Sequence, residues 1–230
     1  MRSSKDGTSI DKRTTITFKN SVNKQKMAQV FGLTGGIACG KSTVSSLLRS
    51  HGAAVIDADQ LARNVVIPGS EGLAAVTNVF GDSILHSDGS LDRQALGGVV
   101  FADPEMRRTL ESLLHPRIAK ESAVAISRHI AAGVDVIIYD AALLVEQGRQ
   151  RDFAGLIVVA CTPKVQRERL AHRDGLDAEA VTARLASQLP IEDKVAAADF
   201  VVWNDGSRAE LAPRIEHLFL QLTGHSLAER

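Results

Sequence analysis

The sequence predicts an α/β fold, a three-layer αβα sandwich built on a five-stranded parallel sheet. Three observations carry that expectation. Five short apolar runs, at residues 30–33, 54–57, 134–140, 156–161 and 200–203, have the near-continuous hydrophobicity of strands buried on both faces. Helical patterns separate them, giving the alternation of a doubly wound sheet. A glycine-rich loop follows the first run at once and leads into an amphipathic helix that starts at Thr43.

That loop is Gly35-Gly36-Ile37-Ala38-Cys39-Gly40-Lys41-Ser42, with the Gly, four residues, Gly-Lys-Ser spacing of a phosphate-binding Walker A pattern. Glycine-rich backbone turns successive N–H groups inward, and the helix that follows adds the positive end of its dipole. Gly36, Ile37, Ala38, Cys39, Gly40, Lys41, Ser42 and Thr43 are therefore expected to hold the phosphates of a nucleotide. Lys41 reaches the outer phosphates, and the Ser42 hydroxyl is expected to ligate Mg²⁺. Strand, loop and helix in this order make the fold P-loop NTPase-type.

The second run ends in Asp57-Ala58-Asp59, where parallel strands open onto a ligand crevice. Read as extended chain, 57–59 places both carboxylates on one side. A phosphoryl acceptor needs such a carboxylate to orient its hydroxyl and take its proton. Capping of a helix that begins at Gln60 is the competing role for Asp59. Asp57 is open to a structural role, through local hydrogen bonds or metal-bound water.

Between the second and third runs, residues 60–133 are far too many for one crossover and must form an inserted helical region. Pro68-Gly69 and Ser87-Asp88-Gly89-Ser90 read as turns, while Asp103-Pro104 and His115-Pro116 each read as an N-cap followed by proline at the first helical position. His115 also stands where a substrate could lie.

The third run, Val136-Ile137-Ile138-Tyr139-Asp140, is apolar and ends in an acid able to hold Mg²⁺, though many buried strands end in Asp without binding anything. After the fourth run, Gln166, Arg169 and Arg173 share one helical face, and Arg184 and Gln188 repeat the spacing on the next helix. Such a hairpin can close over ATP as a lid, or its charged faces can simply be solvated.

Composition excludes several classes. At 230 residues, 44% hydrophobic and 23% charged, the chain can bury a full core as one domain. No apolar run approaches the roughly 20 residues of a membrane span. Net charge is zero, yet residues 1–26 hold seven basic side chains against Asp6 and Asp11, so the remainder is net negative, which argues against nucleic acid as the main partner. That segment is expected to be a disordered extension, with the fold beginning at Met27. Two cysteines, Cys39 and Cys161, fit a reducing cytoplasm, and lying on separate elements they are expected to form no bridge. Cys39, between a helix N-terminus and Lys41, is either a thiol of lowered pKa or a plain replacement for serine.

These motifs, in this order, resemble dephospho-coenzyme A kinase from Met27 to about Gly224. The likeness rests on Leu33-Thr34-Gly35-Gly36-Ile37 with Gly40-Lys41-Ser42, on Val55-Ile56-Asp57-Ala58-Asp59 with Ala62-Arg63, and on Phe80-Gly81, Asp88 through Arg93 and Leu114-His115-Pro116-Arg117-Ile118. It continues through Asp140 with Leu143-Leu144-Val145-Glu146, Gln166-Arg167-Glu168-Arg169 and Arg173-Asp174-Gly175. Arg184, Gln188-Leu189-Pro190, Ala198 through Val202 and Asn204-Asp205-Gly206-Ser207 complete it.

The resemblance implies ATP-dependent phosphorylation of the ribose 3′-hydroxyl of dephospho-coenzyme A. It implies Asp59 as acceptor-side base, Lys41 and Arg173 as phosphate stabilisers, and Arg63, His115 and Asp57 toward the acceptor. Arg169 and Asn204 would lie toward ATP, and Ser42 and Asp140 toward Mg²⁺. The chain divides accordingly into a core (27–59, 134–162, 199–224), a substrate-binding insertion (60–133), a lid (163–198) and a tail (225–230), acting as a monomer or weak homo-oligomer. Ala38-Cys39 stands where the family usually has Gly-Ser, so a left-handed backbone there would strain Ala38 by roughly 1 kcal/mol. Ala141-Ala142 and Val145 depart from the family's proline before Leu-Leu and its aromatic before Glu146.

The alternative on the same scaffold is another small-metabolite or nucleoside monophosphate kinase. The different-class alternative, a nucleotide-switched GTPase, is argued against by the lack of an Asn-Lys-x-Asp motif, and a transporter-type ATPase by the lack of Ser-Gly-Gly-Gln.

Overall fold

The computed structural model describes residues 28–224; the basic extension, Met27 and the tail lie outside the described residues. Five strands form one parallel sheet in the order β2-β3-β1-β4-β5: β1 (Gln29–Gly35), β2 (Ala54–Asp57), β3 (Val136–Asp140), β4 (Leu156–Ala160) and β5 (Phe200–Trp203). Every residue of β3 and β4 is buried, because helices cover both faces of the sheet. The strand order reverses about β1, so the crevice of a doubly wound sheet opens at that strand's carboxyl end.

On the faces of the sheet lie α1 (Lys41–Ser50) and α9 (Arg208–Leu222), which pack together, with α1 against β1 and β2. Leu33, Val44, Leu48, Ile157 and Ile215 are fully buried in this main core. Each such side chain contributes about 1.5–3 kcal/mol. A capping box starts α9: Ser207 accepts from the Glu210 N–H while the Glu210 carboxylate accepts from the Ser207 N–H.

Between β2 and β3 come α2 (Ala58–Asn64), α3 (Glu71–Phe80), α4 (Arg93–Ala102) and α5 (Pro104–Ala131), with a separate apolar cluster of Val65, Val66, Leu73, Val76, Ile84 and Leu96. Asp103 caps α5 as the sequence predicts, and Asp92 caps α4. The His115-Pro116 expectation is corrected, because no helix starts there and α5 runs unbroken for 28 residues with Pro116 inside it. Leu110, Leu113 and Leu114 before the proline and Ile118 after it pack on the same cluster, and that burial outweighs the one lost backbone bond. The Asp57–Asp59 expectation is also corrected: the strand stops at Asp57, which caps α2 by accepting from the Gln60 N–H at 2.9 Å. Asp59 is therefore in the first helical turn and strand alternation does not apply to it.

Between β4 and β5, α6 (Pro163–Asp174), α7 (Ala178–Ala186) and α8 (Ile191–Ala196) form a helical excursion. Its attachment is a buried ion pair. Lys194 is 0% exposed, and its Nζ lies 2.6 Å from Glu146 Oε1 and donates to the carbonyls of Ala142 (3.2 Å) and Gly35 (3.4 Å). One side chain thus fastens α8 to the end of β1 and to the loop after β3. None of the described helices is long and apolar enough to cross a membrane.

Removing one partner of a buried pair strands the other charge. Lys194→Met is expected to cost about 3–5 kcal/mol in urea unfolding, and the double change Lys194→Met with Glu146→Leu much less. Equal midpoints for Lys194→Met and wild type would show that the pair holds nothing.

Candidate active site

The site is assembled where β1, β2 and β3 end. The turn from β1 into α1 needs left-handed backbone: Gly40 has φ 89°, and a Cβ there would meet Asn204 Nδ2 at 2.2 Å. A Cβ on Gly36 would likewise press on the Gln166 amide at 2.7 Å. Ala38 has φ 60°, the one non-glycine left-handed residue among those described, so the conditional strain expected from the sequence is realised.

No side chain caps α1. The first N–H groups of a helix have no intrahelical partner, so this end is free to hold an anion. The loop's carbonyls are held from behind instead. Gln166 Nε2 donates to Ile37 O (2.9 Å) and Asn204 Nδ2 to Cys39 O (2.9 Å), while Gln188 Oε1 accepts from the Ile37 N–H (3.1 Å). Arg169 donates to the carbonyls of Asn204 (2.6 Å) and Gly206 (3.2 Å), so the two residues expected toward ATP do meet, through main chain.

Parallel pairing puts Asp57 and Asp140 side by side at the ends of β2 and β3. The Lys41 ammonium pairs with Asp140, which is 5% exposed. Burial pushes the Asp140 carboxyl above the usual carboxylate range, against the downward pull of Lys41. Ser42 is exposed on the first turn of α1. Carboxylate and hydroxyl oxygens are hard donors of the kind that suit Mg²⁺ sharing its shell with phosphates and water.

Beyond Asp140 lies a cavity of about 710 Å³, walled by α2, α5 and the chain after β3. Asp59 and His115 both line it, with Ala62, Ile118, Leu143 and Phe153 among the apolar wall. Asp59 is exposed and makes no hydrogen bond or ion pair among the described residues. Arg63, four residues on, is exposed and stands outside this lining. Arg173 is exposed near the end of α6 and forks onto Asp174 (2.7 and 3.0 Å), apart from the loop and the cavity.

Two groups escaped the sequence reading. Arg149 lines the cavity and lies over the rings of Tyr139 (5.4 Å) and Phe153 (5.9 Å); the loop Gln147 through Asp152 has no periodicity that would single it out. Lys194 shares the buried face of α8 with Ile191, and that spacing was the available signal. Of the two readings of Cys39, the lowered pKa is corrected: hydrogen bonding to Cys161 and burial push that thiol up.

Because Ala38 is strained, Ala38→Gly is expected to raise stability by up to about 1 kcal/mol, the relief of left-handed backbone less the added chain entropy. A guanidinium midpoint lower than wild type by that amount would contradict it.

Residues 29–210 match the family model for dephospho-CoA kinase. A dephospho-CoA kinase of Anaeromyxobacter dehalogenans is 47% identical over 196 residues, which is 85% of this chain and 93% of that one. Among solved structures, TT1252 from Thermus thermophilus is 33% identical with a TM-score of 0.75, over 86% of this chain and 99% of its own. A dephospho-CoA kinase from Campylobacter jejuni is 27% identical with a TM-score of 0.59 over the same shares. With its phosphate loop, strand-end carboxylates and adjoining cavity, the chain belongs to the dephospho-CoA kinase family.

Proposed function

We propose that the protein transfers the terminal phosphoryl group of ATP to the ribose 3′-hydroxyl of dephospho-CoA, giving coenzyme A in the last step of its synthesis. The observation that carries this reading is the junction at Asp140. The acid pairs with the lysine of the phosphate loop, and the next residues line a cavity that also holds Asp59 and His115. Donor and acceptor sites adjoin at one strand end, as an in-line transfer requires.

ATP seats its phosphates in the loop Gly36 through Thr43, at the uncapped N-terminus of α1, with Arg169 and Asn204 on the nucleotide side. Lys41 exchanges Asp140 for the outer phosphates and neutralises charge as the transferring group separates. Asp59 orients the acceptor hydroxyl and receives its proton, a role its lack of other partners supports. His115 lies toward the acceptor in the cavity, and the family resemblance assigns Asp57 and Arg63, outside the lining, to the same side. Arg173 meets the phosphoryl group when the helical excursion closes. Ser42 and Asp140 would hold Mg²⁺, which, when bound, draws charge from the β- and γ-phosphate oxygens.

The division into core, acceptor-binding insertion (60–133) and lid (163–198) follows the same reading, as does a cytoplasmic enzyme that is monomeric or weakly associated. The separate apolar cluster of the insertion supports a substrate module with its own packing.

The test is a coupled turnover assay with dephospho-CoA against a panel of nucleosides and monophosphates. Preference for a monophosphate would overturn the acceptor assignment. Lys41→Ala is expected to weaken nucleotide binding and lower turnover by about 10²-fold or more. Asp59→Ala should lower turnover by about 10²–10⁴-fold while leaving ATP affinity within about twofold. A near-normal rate for Asp59→Ala would remove it from the base role.

A further inference from the structure

The chain has two cysteines, the proposed transfer uses neither thiol, and the sheet brings them together. Cys39 is the residue before the last glycine of the phosphate loop, and Cys161 directly follows β4. Their sulfurs are 3.1 Å apart, and both side chains are fully buried. A disulfide bond is about 2.05 Å long, so bonding needs an approach of only about 1 Å. Cys161 is the better nucleophile. Its hydrogen bond with Cys39 and the charge of Arg169 pull its pKa below the ordinary thiol value, while Cys39 is pushed up and keeps its proton.

We propose that Cys39 and Cys161 form a redox modification site, which hydrogen peroxide converts to a disulfide that displaces the phosphate loop and switches nucleotide binding off. The burial of both sulfurs restricts the oxidant to a small one, entering between the partly exposed Gly36, Ala38 and Gly40. The Cys161 thiolate attacks one peroxide oxygen, the O–O bond breaks, and the leaving hydroxide takes up a proton to become water. Cys161 is now a sulfenic acid. Cys39 sulfur attacks it, the S–O bond breaks as the S–S bond forms, and the departing hydroxide takes the Cys39 proton. Two thiols lose two electrons and two protons, and the peroxide oxygens leave as two waters.

The consequence for the loop follows from its anchors. The Cys39 N–H donates to Gly36 O (3.1 Å) and its carbonyl accepts from Asn204, so a shift of its side chain drags on a fixed turn. Misplacement by about 1 Å costs on the order of 10²-fold where donors must meet a ligand.

The reduced full chain is titrated with hydrogen peroxide, alkylated under denaturing conditions and weighed by mass spectrometry. Native aliquots taken at each dose before alkylation are read for affinity toward a fluorescent ATP analogue, alongside Cys161→Ser and Cys161→Ala. Wild type is expected to lose both alkylatable thiols together and two hydrogen masses, and to yield a peptide pair joined through Cys39 and Cys161. Its nucleotide affinity should fall by about 10- to 100-fold and return with dithiothreitol. Neither variant should lose affinity at that dose. Thiols that stay free, sulfinic acid in place of the disulfide, or a disulfide that leaves affinity unchanged overturns the proposal. A reduced protein that binds no nucleotide overturns the phosphate-loop reading and the switch with it, while the thiol count reports the disulfide separately.

Discussion

A loop that offers its N–H groups to an anion turns its carbonyls toward the protein, and those carbonyls must be satisfied away from the ligand. Here the donors come from far along the chain. Gly35 O receives Lys194, Ile37 O receives Gln166 and Cys39 O receives Asn204. A buried carbonyl without a partner costs about 1–3 kcal/mol. Loop, helical excursion and β5 therefore depend on one another: each donor loses its acceptor if the loop turns over, and the loop loses its shape if the donors leave. Conformation and chemistry are set by the same bonds.

The sheet was legible from sequence because its signal is local. Continuous apolar runs can only be buried strands when helical patterns flank them, and the phosphate loop marks the end of β1 directly. Strand ends shifted by a residue or two. The third run begins at Val136 rather than at 134 because Gly133, left-handed at φ 75°, still belongs to the exit from α5. What failed was reading short-range punctuation where tertiary burial decides. Pro116 reads as a helix start, yet apolar residues on both sides of it belong to one cluster, so the helix passes through. Asp57-Ala58-Asp59 reads as strand, yet the Asp57 side chain begins a helix.

The site was legible only in part, for a similar reason. Lys41, Asp140, Asp59 and His115 sit at strand ends or on helices whose order the sequence supplies, and the fold brings Lys41 to Asp140 and Asp59 to His115. Gln166 and Gln188 carry the spacing of a charged lid face, but in the structure they hold the Ile37 backbone. Spacing reports which residues share a face, not what that face meets. The proximity of Cys39 and Cys161 was hidden for the same reason, since two separate elements become neighbours only through the pairing of β1 with β4.

The helical excursion has two ends of opposite character, and the difference bears on how it can move. Its base is tied to the loop by Gln166, Gln188 and the buried Lys194–Glu146 pair. Among the described residues, the ion pairs and side-chain bonds of its tip stay within the excursion: Arg173 and Arg184 share Asp174, and Arg167 bonds Thr182 across α6 and α7. Exposed pairs of this kind are worth about 0–1 kcal/mol. On the proposed reading, Arg173 trades the Asp174 carboxylate for a phosphoryl oxygen, and so weak an exposed pair offers little resistance to the exchange. The base cannot follow without breaking a buried ion pair. On that reading closure bends only the part of the excursion beyond Arg169, which ties α6 to Asn204 and Gly206, about a fixed α8, and the phosphate loop keeps its shape.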